Sequence, residues 1–407
     1  MGEAQSKECA DEKATEKLQE AKSDFNILQG LAKTEGSKAM TEYISDMLNR
    51  WQQEHVKLAI TGRSATGKST FINAMRNVKP GDAGFAAAGS GDTTIAPTLY
   101  KHPKNDQIAF YDLPGYSTTA FKKEDYISQM KISEYHFFFI FFNNVLSEDE
   151  IWLAGELRKL NKPFSLVRSK IDIDIDNAMH DGKDQKIIIP EIKGKIKIAL
   201  QANTELKDSK AFFLISSRNL ELGEWSKLIE YVEANINGWK AQALLFALGA
   251  MTKDVLERKH EMLKKRLVLT CAIAAGAAAL PLPGADIAVN TVLMARETSH
   301  YMHVFGIDKE KVEALQNFDH SLLKCGSMWK PNFDISSFVI MQLGKYGTLM
   351  AAESVLEMFL PFVGSIISSV TAAAVTYKYL DRTLQDTKDD AMLIYEHIMK
   401  TKADERM

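Results

Sequence analysis

The sequence lacks several things, and each absence narrows its function. It has only three cysteines, Cys9, Cys271 and Cys325, far apart in 407 residues. That spacing offers no metal-ligand set and no disulfide framework, and it fits a reducing compartment. Positive charge is not in excess: 50 Lys and Arg stand against 53 Asp and Glu, a net charge of -3. No overall basic field points to nucleic acid, and a ribosome-bound role is disfavoured. The opening residues, "MGEAQSKECADEKATEKLQEAK", contain no apolar signal core, so synthesis in the cytosol is expected. No internal repeat of fixed period stands out. No grouping of His, Cys and Ser suggests nucleophilic chemistry.

What is present reads as two kinds of texture. Hydrophobic residues make up 45% and charged residues 25%, an ordinary globular balance. The length allows two or more domains of roughly 100–200 residues each. Residues 1–20 read as a disordered tail and 21–50 as a helical segment with apolar residues at helical spacing. Over 51–238, short apolar runs alternate with helix-compatible stretches: "VKLAIT", "QIAFYD", "YHFFFIFF", "PFSLVR" and "AFFLIS". The runs are continuous rather than alternating, as in strands buried on both faces of a parallel sheet. An α/β, doubly wound, mostly parallel sheet is expected there. From 239 to 407 the strand-like runs vanish, and an α-helical domain is expected.

The chemistry begins at "GRSATGKS", Gly62 to Ser69, which fits G-x-x-x-x-G-K-[ST] between a strand and a helix. Backbone N–H groups of such a loop, Gly62, Arg63, Ser64, Ala65, Thr66, Gly67, Lys68, Ser69 and Thr70, would cradle phosphates at the helix N-terminus. Lys68 would reach the β- and γ-phosphates and Ser69 would ligate Mg²⁺. "FYDLPG" then ends a strand, with Asp112 as a second Mg²⁺ contact and the Gly115 N–H as a γ-phosphate sensor. The polar stretch "AAAGSGDTTIAPT" between them suits a mobile switch, with Thr94, or next Thr93, on the metal. "VRSKIDID" supplies Ser169, Lys170 and Asp172 in the manner of [NT]-K-x-D. The Asp172 carboxylate accepts from guanine N1–H and the 2-amino group, which adenine does not offer. Asp174 and Asp176 follow at alternating positions and read as a solvated edge. "FLISSRN" places Ser216 and Ser217 in a loop suited to guanine O6. GTP and GDP are therefore the expected ligands, with Mg²⁺.

The order "GRSATGKS", "YDLPGYSTT", "VRSKID", "FLISSRN", between helical segments, resembles the immunity-related GTPases, which are interferon-inducible and dynamin-like. "TLYKHPKNDQIAFYDLPGYSTTAFKKEDYISQMKISEYHFFFIF" is the stretch most like them. The resemblance implies GTP hydrolysis, GTP-dependent self-assembly, and peripheral action at endomembranes or a pathogen-containing vacuole in cell-autonomous immunity. The Lys of G-K-S marks the effector-type subgroup. Family members carry Glu at the position of Arg63 and Gly at that of Ala65. Ala65 would be strained if its backbone requires positive φ, and Arg63 would set a cation beside the phosphates. No glutamine follows Gly115; Tyr116, Ser117 and Thr118 stand there. Slow intrinsic turnover is expected, with catalytic groups Lys68, Thr94 and Gly115 completed by a second subunit. A regulatory GTP switch without self-assembly is the alternative.

Two long uncharged stretches, 267–285 and 358–377, approach membrane-span length. Proline interrupts both, and buried helical hairpins are the preferred reading. The basic residues Arg258, Lys259, Lys264, Lys265 and Arg266 read as a headgroup-facing or solvated cluster. Gly2 and Ser6 match a myristoylation signal beside Cys9.

Overall fold

The computed structural model describes residues 50–87, 96–115, 123–204, 206–236, 238–249, 252–278, 285–325 and 367–404, with scattered positions between 27 and 49. Two units result, 50–255 on one side and 256–407 with 1–49 on the other.

The first unit is built on six strands: β1 (Val56–Gly62), β2 (Thr98–His102), β3 (Asn105–Asp112), β4 (Phe137–Phe142), β5 (Phe164–Arg168) and β6 (Phe212–Leu214). Their order is β2-β3-β1-β4-β5-β6. β1 pairs in parallel with β3 and β4, β4 with β5, and β5 with β6, while β2 runs antiparallel on the edge. This is the doubly wound sheet expected from the apolar runs. β2 was not among those runs. Its residues are mostly exposed, because an edge strand buries little and so needs no continuous apolar stretch.

β4 is buried along its whole length. Phe138, Ile140 and Phe142 join the core that also holds Leu153, Leu166 and Ile171, while Phe137 and Phe139 contact each other on the opposite face. The helix after the phosphate loop, α1 (Lys68–Arg76), is pinned there through Phe71, whose ring lies 4.9 and 5.0 Å from Phe139 and Phe141. Trp225 stacks on the same ring at 5.3 Å. α2 (Lys123–Gln129), α3 (Glu148–Lys159), α4 (Ile171–His180), α5 (Gln185–Gln201), α6 (Trp225–Asn235) and α7 (Gly238–Ala247) complete the unit. α5 follows the 3.6-residue period closely: Ile188, Ile192, Ile196 and Leu200 are all buried, four residues apart. α7 belongs with this unit, its Phe246 ring meeting Trp51 edge-on at 5.2 Å.

The second unit contains α8 (Lys253–Ala278, entered at its start from the first), α9 (Ala285–Phe305), α10 (Lys309–Glu313) and α11 (Ile367–Asp404). Within it Arg266 forms a buried fork with Glu297, at 2.7 Å from Nη2, and also donates to the Leu48 carbonyl. Lys259 is buried and donates to the Val304 carbonyl at 2.6 Å. These two residues therefore leave the basic cluster expected to face headgroups or solvent: burying a charge demands such partners. Lys264 stands 3.8 Å from Asp381. The stretch 267–285 is helical through 278, and 279–284 lie outside the described residues, as do 358–366 of the second stretch. Among the described residues no helix is long and apolar enough to cross a membrane. Gly2, Ser6 and Cys9 also lie outside them.

Candidate nucleotide-binding site

The phosphate loop leaves the end of β1 and enters α1 at Lys68, at the carboxyl ends of the parallel strands, where open α/β sheets bind ligands. Two glycines are required there by their protein neighbours. A Cβ on Gly62, at φ 135°, would meet the Phe141 carbonyl oxygen at 2.1 Å. A Cβ on Gly67, at φ 91°, would meet Ser169 Oγ at 2.7 Å. Ala65 does sit at positive φ, 60°, a left-handed conformation that costs a Cβ-bearing residue.

The side chains of the loop bind it to itself and to its surroundings. Lys68 Nζ donates to the Gly62 and Arg63 carbonyls at 2.8 and 3.0 Å. Thr66 is buried and its hydroxyl donates to the Arg63 carbonyl at 2.8 Å. Arg63 reaches across to the first turn of α3, 3.2 Å from Asp149 and 3.9 Å from Glu150. Its guanidinium is thus matched to two carboxylates. Glu150 is itself buried in a capping box with Ser147.

Asp112 ends β3, opposite Ile60. It is 6% exposed and its Oδ1 is buried without a hydrogen-bond partner. Burial raises its pKa to about 6, against the opposing pull of Lys68. An orphaned carboxylate oxygen beside a phosphate loop fits Mg²⁺ or its water shell. Among the described residues no cluster of three acidic, His or Cys groups could hold a metal. Mg²⁺ in nucleotide sites takes most of its ligands from phosphate and water, so a site of this kind needs few protein ligands. Thr93 and Thr94 lie outside the described residues. The chain entering that segment is fixed by Asn73, which exchanges two 2.8 Å hydrogen bonds with the Ala86 backbone.

The loop that carries Ser169, Lys170 and Asp172 is joined to the G-x-x-x-x-G-K-S loop directly. Ser169 Oγ donates to the Thr66 carbonyl, and Lys170 Nζ donates to the Ala65 carbonyl at 2.6 Å. Serine in place of the usual Asn or Thr therefore still makes a supporting hydrogen bond. Lys170 is left-handed, φ 63°, as it enters α4, and Asp172 follows, half-buried, in the helix's first turn. The residues "IDIDID" are helical, with Ile171 and Ile175 buried on one face. Asp174 is accordingly not part of a solvated edge. It takes a fork from buried Arg168, with Nη2 at 2.7 and 2.8 Å, while Arg168 Nη1 donates to the Asn144 carbonyl at 2.6 Å. Asp176 is exposed. The alternation misled because i, i+2 spacing does not reveal an i, i+4 helical face in so short a run.

Ser216 is buried, and its Oγ accepts from the Asn219 and Arg218 N–H groups at 3.0 and 3.3 Å. Its side chain thus closes its own turn. Ser217 Oγ is buried without a hydrogen-bond partner among the described residues. Gly115 ends the described part of the D-x-x-G turn. Two further participants had no sequence signal: Arg168, which reads as the end of a strand, and Tyr126, whose hydroxyl lies beside that turn.

Comparison with known proteins adds an independent line of information. Residues 26–390 match the family model described as interferon-inducible GTPase. The chain is 30% identical over 275 residues to mouse T-cell-specific guanine nucleotide triphosphate-binding protein 2, covering 66% of this chain and 65% of that one. It is 29% identical over 300 residues to mouse interferon-gamma-inducible GTPase 10, covering 72% and 70%. It is 24% identical over 359 residues to rat interferon-inducible GTPase 5, covering 86% and 77%.

Proposed function

The chain belongs to the interferon-inducible GTPase family, and from that premise we propose that it binds GTP with Mg²⁺ and hydrolyses it to GDP and phosphate. The observation that carries this is the pair of bonds from Ser169 and Lys170 to the carbonyls of Thr66 and Ala65. They make the guanine-reading and phosphate-holding loops one body, so a nucleotide that fits one end is presented correctly at the other. In this reading the N–H groups from Arg63 to Thr70 hold the phosphates, and Asp172 pairs with the guanine edge. Lys68 exchanges its backbone carbonyls for phosphate oxygens, which offer a charge-assisted contact. Ser69, Asp112 and Thr94 hold Mg²⁺, which neutralises charge on the phosphates. Gly115 N–H meets the γ-phosphate.

The wider role follows the family: nucleotide-dependent self-assembly and peripheral action at intracellular membranes in cell-autonomous innate immunity. Two features of the chain support assembly as part of the reaction. Tyr116 occupies the position after Gly115 where a water-positioning glutamine would stand. Arg63 is already engaged by Asp149 and Glu150 of α3, so stabilisation from a second copy is the economical source.

The guanine assignment is tested by Asp172→Asn. The amide presents a donor where guanine also donates, so GTP affinity falls and xanthosine triphosphate is preferred. Calorimetry with both nucleotides measures the exchange. Wild-type GTP affinity in the variant would remove Asp172 from the site.

A further inference from the structure

Tyr126, on α2, is fully buried, and its hydroxyl touches two elements of the nucleotide site. It lies 2.9 Å from the Pro114 carbonyl oxygen and 3.0 Å from Thr61 Oγ1. A carbonyl can only accept, so the single phenolic proton goes to Pro114, and Thr61 is the donor to the phenol. Burial holds the phenol neutral, well above its ordinary pKa. The result is a directed chain, Thr61 to Tyr126 to Pro114. It links the residue just before the phosphate loop with the turn that ends in Gly115.

The Pro114 carbonyl and the Gly115 N–H belong to one peptide unit. That unit is planar and trans, so the two groups point in opposite directions along nearly parallel lines. Whatever fixes the carbonyl fixes the N–H. Proline at 114 narrows the choice further, because its φ is locked. The preceding residue is tied as well: Leu113 N–H donates to the Ile60 carbonyl at 2.8 Å. Rotation of the Pro114–Gly115 peptide is resisted at its carbonyl by Tyr126, which reads the turn from the helix that follows it.

We propose that Tyr126 is the positioning residue for γ-phosphate recognition: its hydroxyl sets the direction of the Gly115 N–H and carries the presence of the γ-phosphate to α2. The inference rests on the reading of Gly115 as the γ-phosphate contact. It makes a distinctive prediction. Loss of the hydroxyl weakens triphosphate binding while leaving diphosphate binding intact, because GDP makes no use of that N–H.

The test is calorimetry on the full chain with a non-hydrolysable GTP analogue and with GDP, both with Mg²⁺. For Tyr126→Phe, GDP affinity is expected within twofold of wild type, and the analogue to bind at least fivefold more weakly. Thr61→Val breaks the chain upstream but leaves the bond to Pro114, so its preference for the analogue over GDP is expected to match wild type. An unchanged preference in Tyr126→Phe, or an equal loss for both nucleotides, overturns the proposal. So does an equal fall in preference for Thr61→Val, which would indicate a general packing effect. A wild-type protein that does not distinguish the two nucleotides would instead remove the Gly115 reading itself, and this inference with it. Hydrogen exchange on wild type is independent of how the variants fold. Residues 123–129 are expected to be better protected with the analogue than with GDP, and identical protection overturns the proposal.

Discussion

Ala65 is the residue at which this chain accepts a local penalty inside its most constrained loop. At φ 60° a Cβ costs about 1–2 kcal/mol relative to right-handed backbone. Glycine would relieve that cost but would gain about 0.4–1 kcal/mol of freedom in the unfolded chain. Ala65→Gly is therefore expected to stabilise the protein by up to about 1.6 kcal/mol, read from the midpoint of urea denaturation. A lowered midpoint would show that the alanine is not strained. The side chain is exposed, so no packing is lost in the exchange. The strain was visible as a question in the sequence, since glycine is the usual occupant, but its sign depended on a dihedral angle that only the fold supplies. Asp174 is the opposite case. Its spacing was read as solvated, and only the turn of α4 brings it onto Arg168.

Among the elements, the seam between β1 and β4 contains a titrating group. His136, just before β4, accepts the Lys57 backbone N–H through Nδ1 at 3.0 Å, and its backbone N–H donates to the Lys57 carbonyl at 2.9 Å. A protonated ring cannot accept that bond. Burial first, then the nearby cations Lys240, Lys162 and Lys57, lower its pKa from 6.5 to about 4. The folded chain thus binds the proton less readily than the unfolded one. This contribution to stability is complete above pH 6.5 and is lost as pH falls from there toward about 4. Denaturation across that window should show the decline. His136→Asn, which keeps an acceptor but has no ring to protonate, should flatten it; an equal slope in the variant would remove His136 as the cause. The parallel strands were legible in the sequence because each is buried and therefore continuously apolar. β2 was not, because its place on the edge leaves most of its residues exposed. The four nucleotide motifs were legible because each is local. The bonds joining them, such as Ser169 to Thr66, span 103 positions and leave no local trace. The same holds for Lys259 and Arg266, whose charges look solvated until partners on distant segments bury them.

At the scale of the whole molecule the open question is how hydrolysis depends on company. With Tyr116 rather than glutamine after Gly115 in the sequence and Arg63 held by Asp149, the proposed reading has a second copy supply the group that orders the attacking water. Specific GTPase activity is expected to rise with protein concentration from nanomolar to tens of micromolar, and further with liposomes present. A flat profile would favour the regulatory switch that does not assemble. Following such a series requires a signal for nucleotide occupancy, and the fold contains one. The indole of Trp225 is stacked on Phe71 of the phosphate-loop helix at an interplanar angle of 14°, and its N–H is bonded to the Ser216 carbonyl at 2.7 Å. One chromophore thus touches the helix that would hold the phosphates and the loop proposed to face the base. With the other four of the five tryptophans replaced by phenylalanine, emission from this buried indole is expected to change when nucleotide fills the proposed site, a label-free signal fast enough for stopped flow; unchanged emission at saturating nucleotide would show that Trp225 does not sense the site.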